Sequence, residues 1–495
     1  MRRRNFCKST LAAGVAASLP ASSVFAALNS MTQVVSNVAA VTSSGDQISL
    51  EKAAVQELKD SLSGSLILPS DAGYESARHI WNGMVDKRPA MIARCANAND
   101  VANAVTFAGE RNLLLSVRGG GHSFPGKSVC DDGLMLDLSA MHGVDVDVPN
   151  RTATSGGGAL LGHVDTATLK HGMITTTGVV SHTGAGGFTL GGGLGRVDRM
   201  YGLAVDNLLA AEIVTAKGDF LTVSEDENAD LFWAIRGGGG NFGVATKFVY
   251  RVHPFNPMIY GGHITYPIDQ AKDAWTFFAE FSETVPNECN LEPSMASTPD
   301  GQRVYTIEVC VGGDHKLAEK VLEPLVRFGK PIESKIGPMP YSTMQTSADG
   351  ALGHGKQYYL KSGYISEITT GAIDAIVDNY EGDYLPLVFI QHLGGYTATV
   401  DPQATAFVHR KVHSNLGAVS GWQDKAESEQ RIEKIRSYHA AVQPYMKGYY
   451  ANLHEETGSK NRGNFGVNYE RLVKIKDEYD PTNLFRLNAN IKPTA

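Results

Sequence analysis

Apolar and polar positions in the first half of the chain alternate between helix-like and strand-like segments. Helical periodicity covers residues 50–62 and 99–108, where Asn99 and Asp100 can cap the second helix. Short β-branched runs predict strands, two of which flank a Lys217-Gly218-Asp219 turn and form a hairpin. The predicted strands are 113–117, 134–138, 144–148, 152–155, 212–216 and 220–223. This mixture predicts an α+β fold with much antiparallel sheet.

From residue 255 to about 430, longer strand-like segments alternate with amphipathic helices. The strand-like segments are HITYPI, VYTIEVCVGG, QYYLKSGYI and LVFIQHLGG, and the helical ones are LAEKVLEPLVRF and TGAIDAIVDNY. A chain of 495 residues is too long for one hydrophobic core, so we expect two lobes. We also expect the chain to return to the first lobe from about Ile432.

The first 26 residues have the pattern of an export signal. Arg3 and Arg4 match the twin-arginine motif, and Val24-Phe25-Ala26 offers a cleavage site. The apolar run between them is short and rich in Ala and Ser, which favours export over a membrane anchor. Residues 27–49 have almost no charge and predict a linker. The sequence therefore predicts a periplasmic or secreted protein.

Charge and cysteine content exclude several classes of protein. A formal net charge of −8 argues against a nucleic-acid partner and against an anionic membrane surface. Cys95, Cys130, Cys289 and Cys310 follow the signal at spacings that match no zinc pattern, so we expect no metal site. A Cys289–Cys310 disulfide and buried free thiols are both compatible with the sequence.

A glycine-rich loop, RGGGHS at Arg118 to Ser123, follows the 113–117 strand. Free N–H groups on such a turn can bind an anion, and Arg118 supplies a permanent charge. The alternative is a tight structural turn with an ordinary histidine at His122. Further glycine clusters at 156–158, 184–193 and 237–240 favour the close approach of a long ligand.

One glycine motif imitates a dinucleotide fingerprint. Residues 238–243, GGGNFG, satisfy G-x-G-x-x-G. That motif has its meaning only where it opens a helix, whereas VATKFVYRVHP follows here and is strand-like. The sequence therefore predicts no NAD site.

Five motifs in order resemble the berberine-bridge-enzyme-like flavoprotein oxidases, which have the vanillyl-alcohol-oxidase or PCMH type of FAD-binding fold. They are RGGGHS at 118–123, GAGGFTLGGGLG at 184–195, YGLAVDN at 201–207, DLFWAIRGGGGNFGV at 230–244 and NYERLVKIKDEYDPTNLF at 468–485. The resemblance extends from about Tyr74 to Pro493. It implies an FAD-binding domain at 50–256, a substrate-binding domain at 257–431 whose antiparallel sheet covers the flavin, and a C-terminal return at 432–495.

The resemblance also implies how FAD is held. The ring of His122 would be bonded to the 8α carbon of the flavin, and the cysteine that makes a second bond in many relatives is replaced by Val180. We therefore expect one covalent bond. Thr183 lies where relatives have a residue near the oxygen-reactive face, and its small size favours an oxidase. The implied cofactor-binding residues are Arg118, Gly119, Gly120, Gly121, His122, Ser123, Thr183, Gly184, Gly187, Gly192, Gly193, Val244, Tyr450 and Asn452.

Oxidation of an alcohol requires a base near the carbon that gives up hydride. Tyr450 and Asn452 match the family's Y-x-N segment that faces the flavin, so Tyr450 is the first choice for the base. The alternative is that the Tyr449-Tyr450 pair consists of core aromatic residues. Gln391 and His413 come from the region expected to face the substrate and are further candidates for catalytic residues.

Together these features predict a secreted FAD-dependent oxidoreductase. It would oxidise an alcohol or related C–H donor, such as a sugar, a phenolic alcohol or another secondary metabolite, and pass electrons to molecular oxygen to give hydrogen peroxide. The alternatives are a dehydrogenase with a quinone or protein acceptor, and a flavin-holding protein without turnover. We expect a small-molecule substrate, no nucleic acid, and no membrane association after signal cleavage. Nothing in the sequence selects the donor.

Overall fold

The computed structural model describes residues 36–298, 300–453 and 458–494. The predicted export signal at 1–26 and the start of the predicted linker, 27–35, lie outside the described residues. The described chain forms an α+β fold with two lobes, which confirms the predicted class. Within the described residues, no helix has the length and the apolar character needed to cross a bilayer.

The first lobe contains most of the short elements. Its strands are Val38–Val41 (β1), Gln47–Leu50 (β2), Ser65–Ile67 (β3), Met91–Arg94 (β4), Leu115–Arg118 (β5), Leu134–Asp137 (β6), Val144–Asp147 (β7), Thr152–Gly156 (β8), Met173–Ile174 (β9), Leu208–Val214 (β10), Phe220–Ser224 (β11), Val244–Arg251 (β12) and His253–Pro254 (β13). Its helices are Lys52–Ser61 (α1), Tyr74–Arg78 (α2), Ala98–Glu110 (α3), Leu161–Leu169 (α4), Ala185–Leu190 (α5), Asp198–Tyr201 (α6) and Ala229–Ile235 (α7).

Two sheets build this lobe. The first has the order β3-β4-β6-β5, in which β4, β6 and β5 are parallel, and the second is the antiparallel sheet β11-β10-β12-β8-β7. A parallel strand is covered on both faces, which explains why all four residues of β6 are apolar or buried. The strand predicted after the GGGNFG motif is confirmed as β12, so that motif does not open a helix.

The second lobe is built on one large sheet. Its strands are Met258–Pro267 (β14), Cys289–Ser297 (β15), Arg303–Val311 (β16), Glu333–Pro340 (β17), Gln357–Ile365 (β18), Leu387–His392 (β19) and Ser414–Trp422 (β20). Its helices are Ala271–Ser282 (α8), His315–Arg327 (α9), Tyr341–Gln345 (α10), Thr370–Asp378 (α11), Gly395–Thr399 (α12) and Ser428–Val442 (α13). The order is β17-β14-β16-β15-β19-β20-β18, and every neighbouring pair is antiparallel.

The two faces of the large sheet have different surroundings because successive side chains of a strand point to opposite faces. One face packs on helices and forms the largest apolar core, which includes Trp275, Leu291 and Ile307. The other face carries polar side chains such as Glu292 and Glu308.

The predicted return to the first lobe at Ile432 is wrong. Residues Ile435, Tyr438 and Val442 of α13 lie in the core of the second lobe, and the Tyr438 hydroxyl donates to the Ile376 carbonyl at 3.1 Å. The return begins near Tyr450 instead and leads to Tyr469–Tyr479 (α14), which packs in the core of the first lobe. Single turns of 3-10 helix occur at Ala204–Asp206, Ile268–Gln270, Lys425–Glu427, Gln443–Tyr445, Gly458–Asn464 and Gly466–Asn468.

The predicted linker is wrong over its described part, because residues 38–50 form the β1–β2 hairpin. Thr42 also bridges to Leu113, and Arg486 Nη1 donates to the Ser43 carbonyl at 2.7 Å. These partners are distant in sequence, so the composition of the stretch does not reveal them.

Two local expectations also change. The N-cap of α3 is Asn97, whose side chain accepts from the Asp100 amide at 3.1 Å, so the helix starts before the predicted Asn99-Asp100 cap. Cys289 lies opposite Val311, and Cys310 lies opposite Asn290, which puts the two thiols on opposite faces of the sheet. Both are free and buried, as are the other two cysteines of the described chain.

Candidate active site

A cavity of about 1000 Å³ lies between the two lobes. The first lobe contributes glycine-rich loops and the C-terminal residues 485 and 487–489, and the second lobe contributes the polar face of its large sheet. This volume is at the upper end of the range found for ligand and cofactor sites.

The glycine loops approach each other more closely than side chains would allow. A Cβ added to Gly120 would lie 2.4 Å from the Gly184 Cα, so these two loops meet backbone to backbone. At Gly187 and Gly240, an added Cβ would have no described atom within 4 Å. The loops therefore form a cradle in the cavity wall that is open to a long ligand.

His122 lies on the cavity wall next to this cradle. Its ring stacks on Trp81 with ring centroids 4.3 Å apart, and Trp81 stacks in turn on Tyr358. Burial lowers the pKa of His122 to about 3, and the neighbouring His182 and His354 act in the same direction. Among the described residues, the buried Nε2 atom has no hydrogen-bond partner. The imidazole is therefore neutral, fixed in orientation, and has an unused ring nitrogen.

These features fit FAD. The open cradle suits an extended cofactor, and an orphaned ring nitrogen is the feature that a bond to the cofactor would explain. Val180, the residue at the place of the second link, also lines the cavity. Most of the predicted cofactor-binding residues line the same cavity, namely Gly119, Gly120, Gly121, His122, Ser123, Thr183, Gly184, Gly187, Val244 and Asn452.

Arg118, Gly192 and Gly193 lie behind the cavity wall. The Arg118 guanidinium donates to the Ala77 carbonyl, and its Nε would lie 3.0 Å from a Cβ on Gly121, so the side chain is folded beneath the loop. Gly192 and Gly193 pack against Phe407 and other buried side chains. In the structure these three residues support the glycine loops from behind, and their direct contact with the cofactor stays a prediction.

Tyr450 has a structural position, which corrects its prediction as the base and as a cofactor contact. Its ring is buried in an apolar cluster with Leu194 and Tyr364 and does not line the cavity. Its hydroxyl accepts from the Gly193 amide at 3.1 Å, the Leu194 amide at 3.3 Å and Asn452 Nδ2 at 2.9 Å. Burial raises the pKa of the phenol to about 12, so it is protonated at neutral pH. The hydroxyl joins the C-terminal segment to the second glycine loop.

His413 and Gln391 are separated by the structure. His413 lies among the side chains of the second lobe, where Nε2 contacts Ser282 Oγ at 2.9 Å and Nδ1 contacts Ser414 Oγ at 3.0 Å. It does not line the cavity and therefore cannot contact a donor there, so the predicted catalytic role of His413 is wrong. Gln391 does line the cavity, and its Oε1 accepts from Asn415 Nδ2 at 2.8 Å. A neutral amide can orient a substrate but cannot take its proton.

A cluster of charged residues that was not predicted lies on the substrate side of the cavity. The strand register places His263, Glu308 and Glu292 side by side on β14, β16 and β15. Arg196, from the loop after α5, has Nη2 2.6 Å from Glu308 Oε2 and Nε 3.6 Å from Glu292 Oε2. Burial raises the pKa of the Glu292 carboxyl to about 7; the charge of Arg196 opposes the rise and that of Glu308 adds to it.

A sequence signal for this cluster exists. Polar residues occur at alternate positions in β14, β15 and β16, as His263 and Thr265, Glu292 and Ser294, and Thr306 and Glu308. In an antiparallel sheet with one apolar face, such alternation marks the face that is not in the core.

Two family profiles match the chain. The family described as "FAD binding domain" matches residues 89–224, and the family described as "Berberine and berberine like" matches residues 450–492. An FAD-linked oxidoreductase of Dictyostelium discoideum is 34% identical over 449 residues, which cover 89% of this chain and 97% of that protein. (R)-6-hydroxynicotine oxidase of Paenarthrobacter nicotinovorans is 31% identical over 451 residues, or 88% and 97% of the two chains.

A comparison with solved structures agrees with these sequence matches. The crystal structure of 6-hydroxy-D-nicotine oxidase from Arthrobacter nicotinovorans superposes with a TM-score of 0.81 at 29% identity and covers 87% of this chain and 98% of its own. The glycine cradle, the cavity and these matches agree on one conclusion. The chain belongs to the berberine-bridge-enzyme-like family of FAD-dependent oxidases.

Proposed function

We propose that this protein is an exported oxidase in which a single covalent bond joins FAD to the ring of His122. The observation that carries the proposal is the neutral, buried Nε2 atom of His122, which has no partner within the described residues, on the wall of a glycine-lined cavity. Val180 lines the cavity and has no atom that could form a second bond. Stacking on Trp81 would hold the imidazole in place for attachment.

When bound, FAD supplies an acceptor for a hydride from a donor carbon. The residues of the chain would bind the cofactor and orient the donor. The loops that contain Gly120, Gly184 and Gly187 would hold the cofactor, and the polar face of the large sheet would hold the donor. Gln391, Ser294 and Thr306 line that part of the cavity and favour a small donor with hydrogen-bonding groups.

A panel of donors tests the activity. It should include (R)-6-hydroxynicotine, since a relative is named for its oxidation, together with xylobiose and an aromatic primary alcohol. We expect at least one donor to bleach the flavin absorption band without oxygen. Protein that carries flavin but is reduced by no C–H donor would support the alternative of a flavin-holding protein without turnover.

The acceptor is tested separately, by admitting oxygen to the reduced protein. Thr183 lines the cavity, and its small side chain would leave room for oxygen beside a bound cofactor. We expect fast return of the flavin band and hydrogen peroxide equal to the donor consumed. Slow reoxidation that a quinone accelerates would instead indicate a dehydrogenase.

Export is proposed from the sequence of the first 26 residues. Replacing both Arg3 and Arg4 with lysine should leave the precursor in the cytoplasm of a host that has a twin-arginine system. An unchanged periplasmic yield would contradict the assignment.

A further inference from the structure

We propose that Glu292 is the catalytic base for donor oxidation and that Arg196 and Glu308 position its carboxylate. The proposal rests on the proposed function, since it names the group that takes the donor's proton in the same cavity. It also replaces the sequence-based choice of Tyr450, whose hydroxyl is turned away from the cavity by three hydrogen bonds.

The position of Glu292 supports the proposal. Its side chain lines the cavity from β15 and is 15% exposed. Glu292 lies directly across from Glu308, which lies directly across from His263. The carboxylate is therefore at the wall where a donor would be held, on a rigid strand in the middle of a seven-stranded sheet.

Arg196 links the two halves of the site. It follows the second glycine cluster in the first lobe, its side chain is only 3% exposed, and it reaches both carboxylates of the second lobe. This contact fixes the distance between the donor-binding sheet and the cofactor-binding loops. Arg196 is thus a positioning residue in a site that is assembled from both lobes.

The other carboxylates and the imidazole on this wall are already engaged. Glu308 receives the short 2.6 Å contact from Arg196. His263 Nε2 and Glu333 Oε2 lie 2.8 Å apart, and Glu333 also pairs with Lys335. Glu292 has only the longer 3.6 Å contact and, within the described residues, accepts no hydrogen bond. It is the carboxylate with free lone pairs for a donor hydroxyl.

The electrostatic surroundings suit proton transfer. Burial raises the pKa of Glu292, the positive charge of Arg196 opposes the rise, and the negative charge of Glu308 adds to it. Asp198 and Tyr341 face the same cluster around Arg196, and His263 flanks it beyond Glu308. A base whose pKa is near the working pH accepts a proton readily and releases it again after each turnover.

The proposed step is balanced within the site. The donor's O–H bond would break and its proton would pass to a Glu292 carboxylate oxygen. The hydrogen on the same carbon would leave with its two electrons, for which FAD, when bound, would supply the acceptor, and a C=O double bond would form. Glu292 then returns the proton to water through the open side of the cavity.

Infrared difference spectroscopy of the flavin-loaded protein tests the assignment without a donor. Between about pH 5.5 and about pH 8.5, the wild-type protein should show carboxyl groups that lose their protons near neutrality. Glu292→Gln should remove one of these signals. Glu323→Gln is the control because Glu323 lies on α9 outside the cavity, is exposed and is paired with Arg327, so the change should leave the signal intact. Burial also raises the pKa of Asp165, to about 7, and its signal should persist in every variant.

Glu308→Gln is a second test, which keeps the proposed base Glu292 and removes the neighbouring negative charge. Removing the neighbouring negative charge should shift the Glu292 midpoint to lower pH, because the ionised form is then less opposed. An unchanged titration midpoint of Glu292 would overturn the proposed electrostatic coupling between Glu292 and Glu308. Thermal unfolding and covalent flavin content of each variant check that the fold is retained.

The kinetic readout uses xylobiose or the aromatic alcohol, whichever bleaches the wild-type flavin, because only these two donors have an O–H and a C–H on the same carbon. Bleaching by (R)-6-hydroxynicotine alone would overturn the proposed O–H step. Anaerobic flavin reduction should slow by about 10²–10⁴-fold in Glu292→Gln, and the pH profile of the reduction rate should lose its fall at low pH. The rate of Glu323→Gln should stay within about threefold of wild type. A Glu292→Gln protein that keeps its carboxyl signal, or is reduced within about threefold of wild type, overturns the assignment. Wild-type protein that carries no flavin or is bleached by none of the three contradicts the proposed function instead.

Discussion

Replacing Tyr450 with phenylalanine should weaken folding without slowing flavin reduction. The lost oxygen accepts from Asn452 Nδ2 at 2.9 Å, the Gly193 amide at 3.1 Å and the Leu194 amide at 3.3 Å. The ring is buried, so water cannot take the place of the acceptor. A buried donor left without a partner costs about 1–3 kcal/mol. Asn452 Nδ2 also donates to the Phe188 carbonyl at 3.0 Å, so only the two backbone amides lose their partner, and we expect the free energy of unfolding to fall by about 2–4 kcal/mol.

Tyr364→Phe is the matched control for this change. Tyr364 is buried in the same cluster, but its hydroxyl has no hydrogen-bond partner among the described residues. Its loss should change the free energy of unfolding by less than about 1 kcal/mol. Urea denaturation followed by circular dichroism compares the two variants.

Flavin reduction separates the structural role of Tyr450 from the catalytic one. With a donor that bleaches the wild-type flavin, Tyr450→Phe should be reduced within about threefold of the wild-type rate, because a base must reach the donor. Equal stability of the two variants, combined with a loss of about 100-fold or more in the reduction rate of Tyr450→Phe, would refute the reasoning and restore Tyr450 as the base.

Two further predictions concern packing and pH. Gly120→Ala should lower both the melting temperature and the flavin content, because the new Cβ would lie 2.4 Å from the Gly184 Cα. Gly143→Ala is the control and should change neither, since its new Cβ would have no described atom within 4 Å. Equal effects of the two substitutions would contradict the close contact of the loops. Burial lowers the pKa of His413 to about 4, so the unfolded chain binds a proton that the folded protein rejects, and stability should fall as pH decreases from about 6.5 towards 4. Urea unfolding across this range should show a shallower dependence of the free energy of unfolding on pH for His413→Gln than for the wild-type protein. Identical pH dependence in the two proteins would show that His413 does not contribute.

The elements of both lobes were predictable because their signals are local. β-branched runs on either side of the Lys217-Gly218-Asp219 turn located β10 and β11. The β-branched run after GGGNFG located β12 and correctly excluded a helix at that glycine motif. The glycine loop and His122 were predictable from a contiguous motif, and both line the cavity.

What could not be predicted depends on partners far apart in sequence. Arg196 is 112 positions from Glu308, and only the register of β15 and β16 puts Glu292 beside them. The same limit applies to Tyr450, because a motif does not say whether a hydroxyl points into a cavity or into a core. It applies also to α13, whose helical pattern does not say which lobe it covers.

The attachment of FAD to His122 is tested most directly by peptide mass spectrometry of the protein that carries flavin. Trypsin should release residues 119–127, GGGHSFPGK, which contain His122. We predict that this peptide carries the mass of one FAD less two hydrogen atoms and that His122→Ala releases all flavin on acid precipitation. An unmodified 119–127 peptide, with the flavin free or on residues 171–196 that contain His182, would contradict the account.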